Sequence, residues 1–183
     1  MELKGIRAAV LVEQQYQEME VWYPLYRLRE AGCKVTVVGP EANQTYPSKL
    51  GYPVKSDRAA KDVKADDFDV LVIPGGFAPD YLRRHEAILK LVGSMVEQGK
   101  VVAAICHGPW VLCSTQALKG RKVTCFSSIK DDVSNAGGKY VDQEVVRDGN
   151  IITSRTPEDL PAFLQTLIQA VREAKPALAG AAR

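Results

Sequence analysis

The chain has 183 residues, of which 46% are hydrophobic and 25% are charged, values that suit one globular domain with a single core. Its 24 basic and 22 acidic residues are mixed along the chain and leave a net charge of +2, which argues against a surface built to bind nucleic acid. The sequence has neither a signal-peptide pattern nor an apolar run of about 20 residues. It therefore predicts a cytoplasmic protein that does not enter membranes.

The chain has few residues of the types that bind metals. Its four cysteines form no C-x-x-C pair, so we expect thiols in a reducing compartment and no zinc site. Only two histidines are present, and neither a metal ion nor another cofactor is predicted. Of the cysteines, one lies in a motif described below, and the other three are expected to be packing residues: Cys33, Cys113 and Cys125.

Short apolar segments alternate with helix-length segments, a pattern typical of repeated β-α-β units. Four strands are predicted, at residues 7–12, 34–38, 70–73 and 101–105. The third of them is apolar on both faces, as expected for a parallel strand that helices cover on each side. The sequence therefore predicts an α/β fold with a mainly parallel central sheet.

Three helices are predicted from the helical spacing of apolar side chains, at residues 18–31, at 86–98 and from near Pro157 onwards. Residues 45–57 are rich in Tyr, Pro, Ser and Gly, which indicates a small β-excursion or a surface loop. We expect one domain over residues 1–174. Residues 175–183 lack a sustained pattern and are expected to fray.

The most informative segment is residues 101–110, where an apolar strand runs directly into Cys-His-Gly and then into helix-compatible residues. This order is typical of a nucleophile elbow, in which small neighbours such as Ala104 and Gly108 let the strand and the helix pass closely. Unpaired N–H groups at a helix start favour a thiolate, so we expect the pKa of Cys106 to fall below about 8.5. The alternative is a buried cysteine that only fills a gap in the core.

A second strand end, at residues 72–76, finishes in a Gly-Gly turn. Gly75 and Gly76 carry no side chain that would obstruct their backbone amides, so the turn can present N–H groups to a ligand. The N–H groups of Gly76 and His107 are predicted to form an oxyanion hole opposite the sulfur. A glycine pair alone more often marks only a turn, and the neighbouring elbow is what favours a binding site.

Four segments together carry a resemblance to a known family: PGGFAP at residues 74–79, AICHGP at 104–109, GRK at 120–122 and IKDD at 129–132. They resemble the PfpI-type intracellular protease family, which belongs to the class I glutamine-amidotransferase-like superfamily. The likeness extends over nearly the whole chain except the tail. It implies a flavodoxin-like three-layer sandwich with a mainly parallel sheet, a cysteine nucleophile, and assembly into homodimers or homohexamers.

The resemblance also implies roles for three other residues. Glu20 occupies the position of a carboxyl group that hydrogen-bonds the sulfur, although a solvated acid in the first turn of a helix is an alternative. His107 corresponds to the proposed general base, and Asp80 to an acid from a neighbouring subunit that orients this base. The family usually has Glu in place of Asp80, a further Glu in place of Gln17, and in several members a Tyr in place of Phe126.

A thiolate beside an oxyanion hole can attack a small electrophilic carbonyl group. The resemblance implies three such activities, namely peptide hydrolysis, removal of early glycation adducts from proteins, and conversion of methylglyoxal to lactate. We predict removal of glycation adducts and conversion of methylglyoxal, both as a stress response, because no sequence feature indicates an extended groove for a peptide. A cysteine peptidase is the first alternative, and a redox sensor or chaperone that uses Cys106 oxidation is the second. Glutaminase chemistry is not expected, since no histidine follows His107.

Overall fold

The computed structural model of the chain describes residues 2–180, with side chains as far as residue 174. The strands, numbered in chain order, are β1 (Arg7–Leu11), β2 (Lys34–Gly39), β3 (Thr45–Pro47), β4 (Pro53–Lys55), β5 (Arg58–Ala59), β6 (Val70–Ile73), β7 (Val101–Ile105), β8 (Lys122–Val123), β9 (Lys139–Tyr140), β10 (Val145–Asp148) and β11 (Ile151–Ser154). The helices are α1 (Glu18–Glu30), α2 (Ala78–Leu82), α3 (Glu86–Glu97), α4 (Pro109–Ser114), α5 (Lys130–Asn135) and α6 (Leu160–Gly180).

A seven-stranded sheet in the order β10-β11-β7-β6-β1-β2-β5 forms the centre of the fold. Every neighbouring pair in it is parallel except β10 and β11, which are antiparallel at one edge. The mainly parallel sheet predicted from the sequence is therefore confirmed, and the four predicted strands lie within one residue of β1, β2, β6 and β7. The predicted excursion at residues 45–57 contains the antiparallel hairpin β3–β4.

Helices cover both faces of the sheet and complete the predicted three-layer sandwich. Helices α1 and α6 pack together on one face, and α3 and α4 pack together on the other. Strands β6 and β7 are buried along their whole length, as expected for central parallel strands. No helix among residues 2–180 is both long enough and apolar enough to cross a membrane.

The C-terminal helix begins slightly after Pro157 and extends into the predicted tail. A short 3-10 turn at Pro157–Asp159 precedes α6, which begins at Leu160. The helix continues to Gly180, through most of the segment 175–183 that was expected to fray. Residues 181–183 of that segment lie outside the described residues.

The order of the strands places three chain segments at one point of the sheet. The chain passes from β1 outward to β2 and later returns to β6 on the other side of β1, so the connections diverge between β1 and β6. Ligands of open α/β sheets bind at such a switch point, beyond the carboxyl ends of the strands. The segments that leave β1, β6 and β7 there carry Glu20, the Gly75-Gly76 turn and Cys106.

The turn between β7 and α4 passes very close to the end of β6. A Cβ atom added at Gly108 would lie 2.5 Å from the carbonyl oxygen of Ile73 and 2.8 Å from that of Ile105. Both contacts are to backbone atoms, which cannot rotate away as a flexible side chain would. The sequence-based expectation that a small residue lets the elbow and the strand pass closely is therefore confirmed at Gly108.

This crowding predicts opposite effects for two glycine substitutions. We expect Gly108→Ala to lower the free energy of unfolding by about 2–3 kcal/mol, because overpacking against backbone forces strands apart. In Gly93→Ala the new Cβ would meet nothing nearer than the Thr115 Cβ at 4.0 Å, so the better helix propensity of alanine should raise the stability by about 0.5–1 kcal/mol. Urea denaturation of both variants checks this, and equal stabilities would contradict it.

Candidate active site

Cys106 occupies the strained turn that the elbow motif predicts. Its φ angle is +61°, in the left-handed region that costs a non-glycine residue about 1–3 kcal/mol. Hydrogen bonds hold this conformation, because Cys106 N donates to Ser154 O at 3.0 Å and Cys106 O accepts from Phe126 N at 2.9 Å. The residue is 7% exposed, so a narrow part of it reaches the surface.

Four groups from three chain segments surround the Cys106 sulfur. The backbone N–H groups of Gly76 and His107 both donate toward it, which makes them the amide pair predicted for the oxyanion hole. The Nδ1 atom of His107 lies 3.2 Å from Sγ. The carboxyl group of Glu20 also interacts with the thiol. The structure therefore brings together Cys106, His107, Glu20 and Gly76.

The Gly75-Gly76 turn divides its two amides between different partners. Gly75 N donates to Glu20 Oε2 at 2.7 Å, so this N–H group positions the carboxyl group and is not directed at the sulfur. A Cβ atom at Gly75 would lie 2.7 Å from both the Cys106 Cβ and Glu20 Oε2, which leaves no space for a side chain. Only Gly76 of the pair thus faces the sulfur, whereas the sequence analysis expected the N–H groups of both glycines to be available to a ligand.

Glu20 is fully buried, although the sequence left open a solvated position in the first turn of α1. Its backbone N–H donates to the side-chain Oε1 of Gln17, the residue that caps the helix, at 3.1 Å. The carboxyl Oε1 of Glu20 is buried without a partner of ordinary hydrogen-bond geometry, so its contact with the thiol is long or poorly aligned. Catalytic hydrogen bonds often tighten only when substrate binds.

Burial determines the protonation of this pair. It raises the pKa of Glu20 to about 7, against the opposing effect of hydrogen bonds from Gly75 and Cys106. Burial likewise raises the pKa of Cys106 to about 12, and the negative charge of Glu20 adds to that rise, whereas the amides of Gly76 and His107 lower it. The prediction of a thiol pKa below 8.5 is therefore wrong for this structure.

The physical reason is the position of the helix. Helix α4 begins at Pro109, three residues after the cysteine, and it has only six residues, so its dipole is small and distant. Desolvation raises the pKa of the nearly enclosed sulfur by more than the two amide donors lower it. Because Glu20 and Cys106 are coupled, their protons belong to the pair, and a thiolate is stable only while Glu20 holds the remaining proton.

His107 is held in place by neighbours on three sides. Its Nε2 atom lies 3.2 Å from Ser128 Oγ, its ring stacks on Phe126 with a centroid distance of 4.9 Å, and Trp110 contacts it edge-on at 5.2 Å. Burial lowers the pKa of His107, so the imidazole is neutral at neutral pH and able to accept a proton. Phe126, noted as a departure from the family pattern, thus supports the ring by stacking.

The partners of His107 within the chain were only partly expected from the sequence. Asp80 forms an ion pair with Arg84 one turn further along the chain, and within the chain it does not contact His107. Its role across a subunit interface stays a prediction. Ser128 was not predicted, because its place beside His107, 21 residues away in the chain, follows only from the fold.

Comparison with known proteins agrees with this architecture and site. The sequence profile of the DJ-1/PfpI family matches residues 6–170. The chain belongs to the DJ-1/PfpI family. The resemblance noted in the sequence is thereby confirmed, and so is the fold: the structure superposes on that of Drosophila melanogaster DJ-1beta with a TM-score of 0.84 at 32% identity, covering 94% of this chain and 97% of that one.

Several relatives of this DJ-1/PfpI protein have names that concern activity, and two of them represent the two kinds of name. A Thermococcus kodakarensis protein named a deglycase is 41% identical over 167 residues, which is 91% of this chain and 100% of the relative. A Bacillus subtilis protein named provisionally as a cysteine protease is 47% identical over 157 residues, 86% of this chain and 93% of the relative. The names thus divide between two of the activities that the sequence suggested.

The coupled protons of this DJ-1/PfpI site predict a distinctive pH profile. In the wild type, we expect the rate of Cys106 alkylation by iodoacetamide to rise through about pH 7, because loss of the first proton from the pair makes a thiolate accessible. In Glu20→Gln that inflection should vanish, leaving one inflection above about 8.5 for an isolated buried thiol. Peptide mass spectrometry of the alkylated protein provides the rates.

The control for this measurement is Glu158→Gln. Glu158 is an exposed carboxylate whose charge also raises the pKa of Glu20, but it is the weakest of the influences on that group and does not interact with the sulfur. This variant should keep the inflection near pH 7. An unchanged profile in Glu20→Gln would show that the carboxyl group and the thiol do not share protons.

Proposed function

We propose that this protein is a cysteine-dependent enzyme that acts on small reactive carbonyl compounds and on the early adducts they form with proteins. The observation that carries the proposal is the convergence on one sulfur of two amide donors, a buried carboxyl group that retains a proton near neutral pH, and a neutral imidazole. Together these groups promote the addition of a thiol to a carbonyl group. The deglycase name of a 41% identical relative supports the same substrate class.

Methylglyoxal illustrates the first step. The Cys106 sulfur bonds to the aldehyde carbon, and the thiol proton passes to the neutral His107 at Nδ1, or to Glu20 when that carboxyl group has already lost its own proton. The aldehyde oxygen acquires negative charge beside the N–H groups of Gly76 and His107, which stabilise it, and protonation of that oxygen gives a hemithioacetal. An adduct of methylglyoxal with a protein side chain would enter at the same stage.

The later steps need only proton transfers and water. His107 is placed to act as the base that takes the proton from the carbon bonded to sulfur. A proton then returns to the neighbouring carbon. The first carbon is thereby oxidised to a thioester while the second is reduced to an alcohol, so no external oxidant is required. Water cleaves the carbon–sulfur bond, which releases lactate and restores the thiol. The sum is methylglyoxal plus water giving lactate.

A cysteine peptidase is the second candidate, because a 47% identical relative carries that name. The same nucleophile and amide pair would serve an acyl transfer. The small exposed fraction of Cys106, 7%, favours a small substrate over a peptide chain, which must lie across its nucleophile. A redox role, in which Cys106 is oxidised, remains the other alternative.

Self-association stays a prediction for this chain. Large apolar side chains are exposed on α1 and at the tip of the β3–β4 hairpin, and surfaces of this kind commonly mark contacts between proteins. They are Met19, Tyr23, Tyr26, Leu50 and Tyr52. The cytoplasmic location predicted from the sequence is likewise still a prediction.

The decisive experiment measures lactate formed from methylglyoxal. We expect Cys106→Ala to reduce kcat/KM by more than about 10³-fold, because the covalent adduct is lost. Cys113→Ala is the matched control, since Cys113 is a half-buried thiol on α4 that does not contact the sulfur site, and it should stay within about twofold of the wild type. Equal rates in the wild type and Cys106→Ala would contradict the proposal.

The same experiment separates the alternatives. Hydrolysis of fluorogenic peptides that depends on Cys106, without lactate formation, would favour the peptidase. Selective oxidation of Cys106 by peroxide, with neither activity, would favour the redox role.

The partner of His107 can be identified by a second pair of variants. Loss of one hydrogen bond that orients the imidazole should cost about two- to tenfold in kcat, so we expect this reduction for Ser128→Ala, with KM nearly unchanged. Asp80→Asn should retain the wild-type kcat if Ser128 suffices. A loss in Asp80→Asn and none in Ser128→Ala would instead favour an acid supplied by a neighbouring subunit.

A further inference from the structure

The β3–β4 hairpin reaches the active site through a single residue of the β1–α1 loop. Tyr16 pairs with Ser48 on one side, in parallel, and with Gly76 on the other, antiparallel. Lys49 N donates to Tyr16 O at 3.0 Å, and the next residue of the loop, Gln17, donates from its N–H to Gly75 O at 3.2 Å. Lys49 is thus separated from the glycine turn by one backbone segment.

The hairpin is fixed at this position by side chains as well as by backbone. The carboxylate of Glu18 accepts hydrogen bonds from Ser48 Oγ and, at 2.9 Å, from Leu50 N, the residues on either side of Lys49. Tyr16 Oη donates to Tyr52 O at 2.7 Å. The loop that carries Lys49 is therefore anchored on both sides of it.

The Lys49 side chain itself is exposed. None of the ion pairs formed among the described residues includes it, and the oxygen of Glu18 that bonds the hairpin is occupied by Ser48 and Leu50. The charge of Lys49 also acts on the Glu18 carboxylate, but no ion pair with a described residue ties its ammonium group down, so this group is available to a ligand.

The charge of Lys49 acts on both sides of the nucleophile. It lowers the pKa of His107 and the pKa of Glu20, the two groups that flank Cys106. Glu158, in the 3-10 turn before α6, has an opposing effect on Glu20 that is smaller than that of Lys49. The combined effect of these two side chains at Glu20, beside the sulfur, is therefore that of a positive charge, which favours an anion there.

We propose that Lys49 forms an anion-binding subsite at the rim of the Cys106 site and selects carbonyl compounds that carry a carboxylate close to the reacting carbon. The amides of Gly76 and His107 bind the developing oxyanion, while Lys49 binds the carboxylate from the opposite side of the Tyr16 segment. The carbonyl part of the substrate rests on the function proposed above. The charge selection concerns any electrophile that reaches the sulfur, and it is testable without turnover.

Two alkylating reagents of nearly the same size provide the test, because iodoacetate is an anion and iodoacetamide is neutral. The measured quantity is the ratio of their rates at Cys106, at one pH and low salt. Both reagents react with the same thiolate, so a change in thiol pKa cancels from the ratio. We expect Lys49→Gln to lower the iodoacetate/iodoacetamide ratio about three- to tenfold, the size expected for one unit charge several ångströms away.

Lys34→Gln is the matched control. Lys34 is also an exposed lysine, and it lies at the first residue of β2, at the end of the sheet opposite the site, so this variant should keep the wild-type ratio. High salt should reduce the ratio of the wild type and leave that of Lys49→Gln nearly unchanged, since it screens the charge. An unchanged ratio in Lys49→Gln, or an equal loss in Lys34→Gln, would overturn the proposal.

The substrate class is tested by protection. Pyruvate, a carboxylate beside a carbonyl group, should slow the alkylation of the wild type by iodoacetamide more than neutral pyruvamide does, and Lys49→Gln should abolish this difference. Equal protection of the wild type by both compounds would overturn the carboxylate preference. If lactate formation from methylglyoxal proves independent of Cys106, the proposed function fails while the alkylation ratio still reports on the subsite.

Discussion

The buried carboxyl group of Glu20 is the interaction on which the site depends. It lies on α1, which follows β1, it accepts a hydrogen bond from Gly75 after β6, and it faces Cys106 after β7. One side chain thus joins the chain segments that leave three neighbouring strands. An ionised carboxylate in this position would be costly, and its raised pKa of about 7 shows how the protein accommodates it, by retaining a proton.

This arrangement determines how the Cys106 thiol can ionise. A helix dipole would keep a thiolate ready at all times, whereas a shared proton lets the sulfur ionise only when the carboxyl group takes over that proton. The neutral His107 offers a second place for it at 3.2 Å. An enclosed thiol protected in this way is less prone to adventitious oxidation than a permanent thiolate, since oxidation follows thiolate character and exposure.

Much of the fold could be predicted from the sequence, because apolar periodicity and turn residues act locally. The four central strands, the hairpin segment and the strained turn at Cys106 follow from such patterns, and so does the need for a small residue at position 108. What local patterns cannot give is burial. The sequence places Glu20 in the first turn of a helix, where either a solvated or an enclosed side chain is possible, and only the packing of α1 against the sheet decides between them.

The residues that sequence analysis missed lie far along the chain from those they serve. Ser128 reaches His107 because the segment after β8 returns to the elbow, where Phe126 N also bonds Cys106 O. Lys49 lies on a hairpin tip, where an exposed lysine has no pattern to distinguish it from other surface lysines. The amides of Gly75 and Gly76 likewise have different partners, and only the three-dimensional geometry shows that Gly75 is the one that bonds Glu20.

The pairing of Tyr16 with both Ser48 and Gly76 has a mechanical consequence. Tyr16 lies between the hairpin and the glycine turn and pairs with both. A displacement of the hairpin is therefore transmitted through Tyr16 to the glycine turn. Insertions or deletions in the hairpin would therefore disturb the amide that faces the sulfur, even though they leave every residue around Cys106 in place. The length of the hairpin and the geometry around Cys106 are therefore constrained together in this molecule.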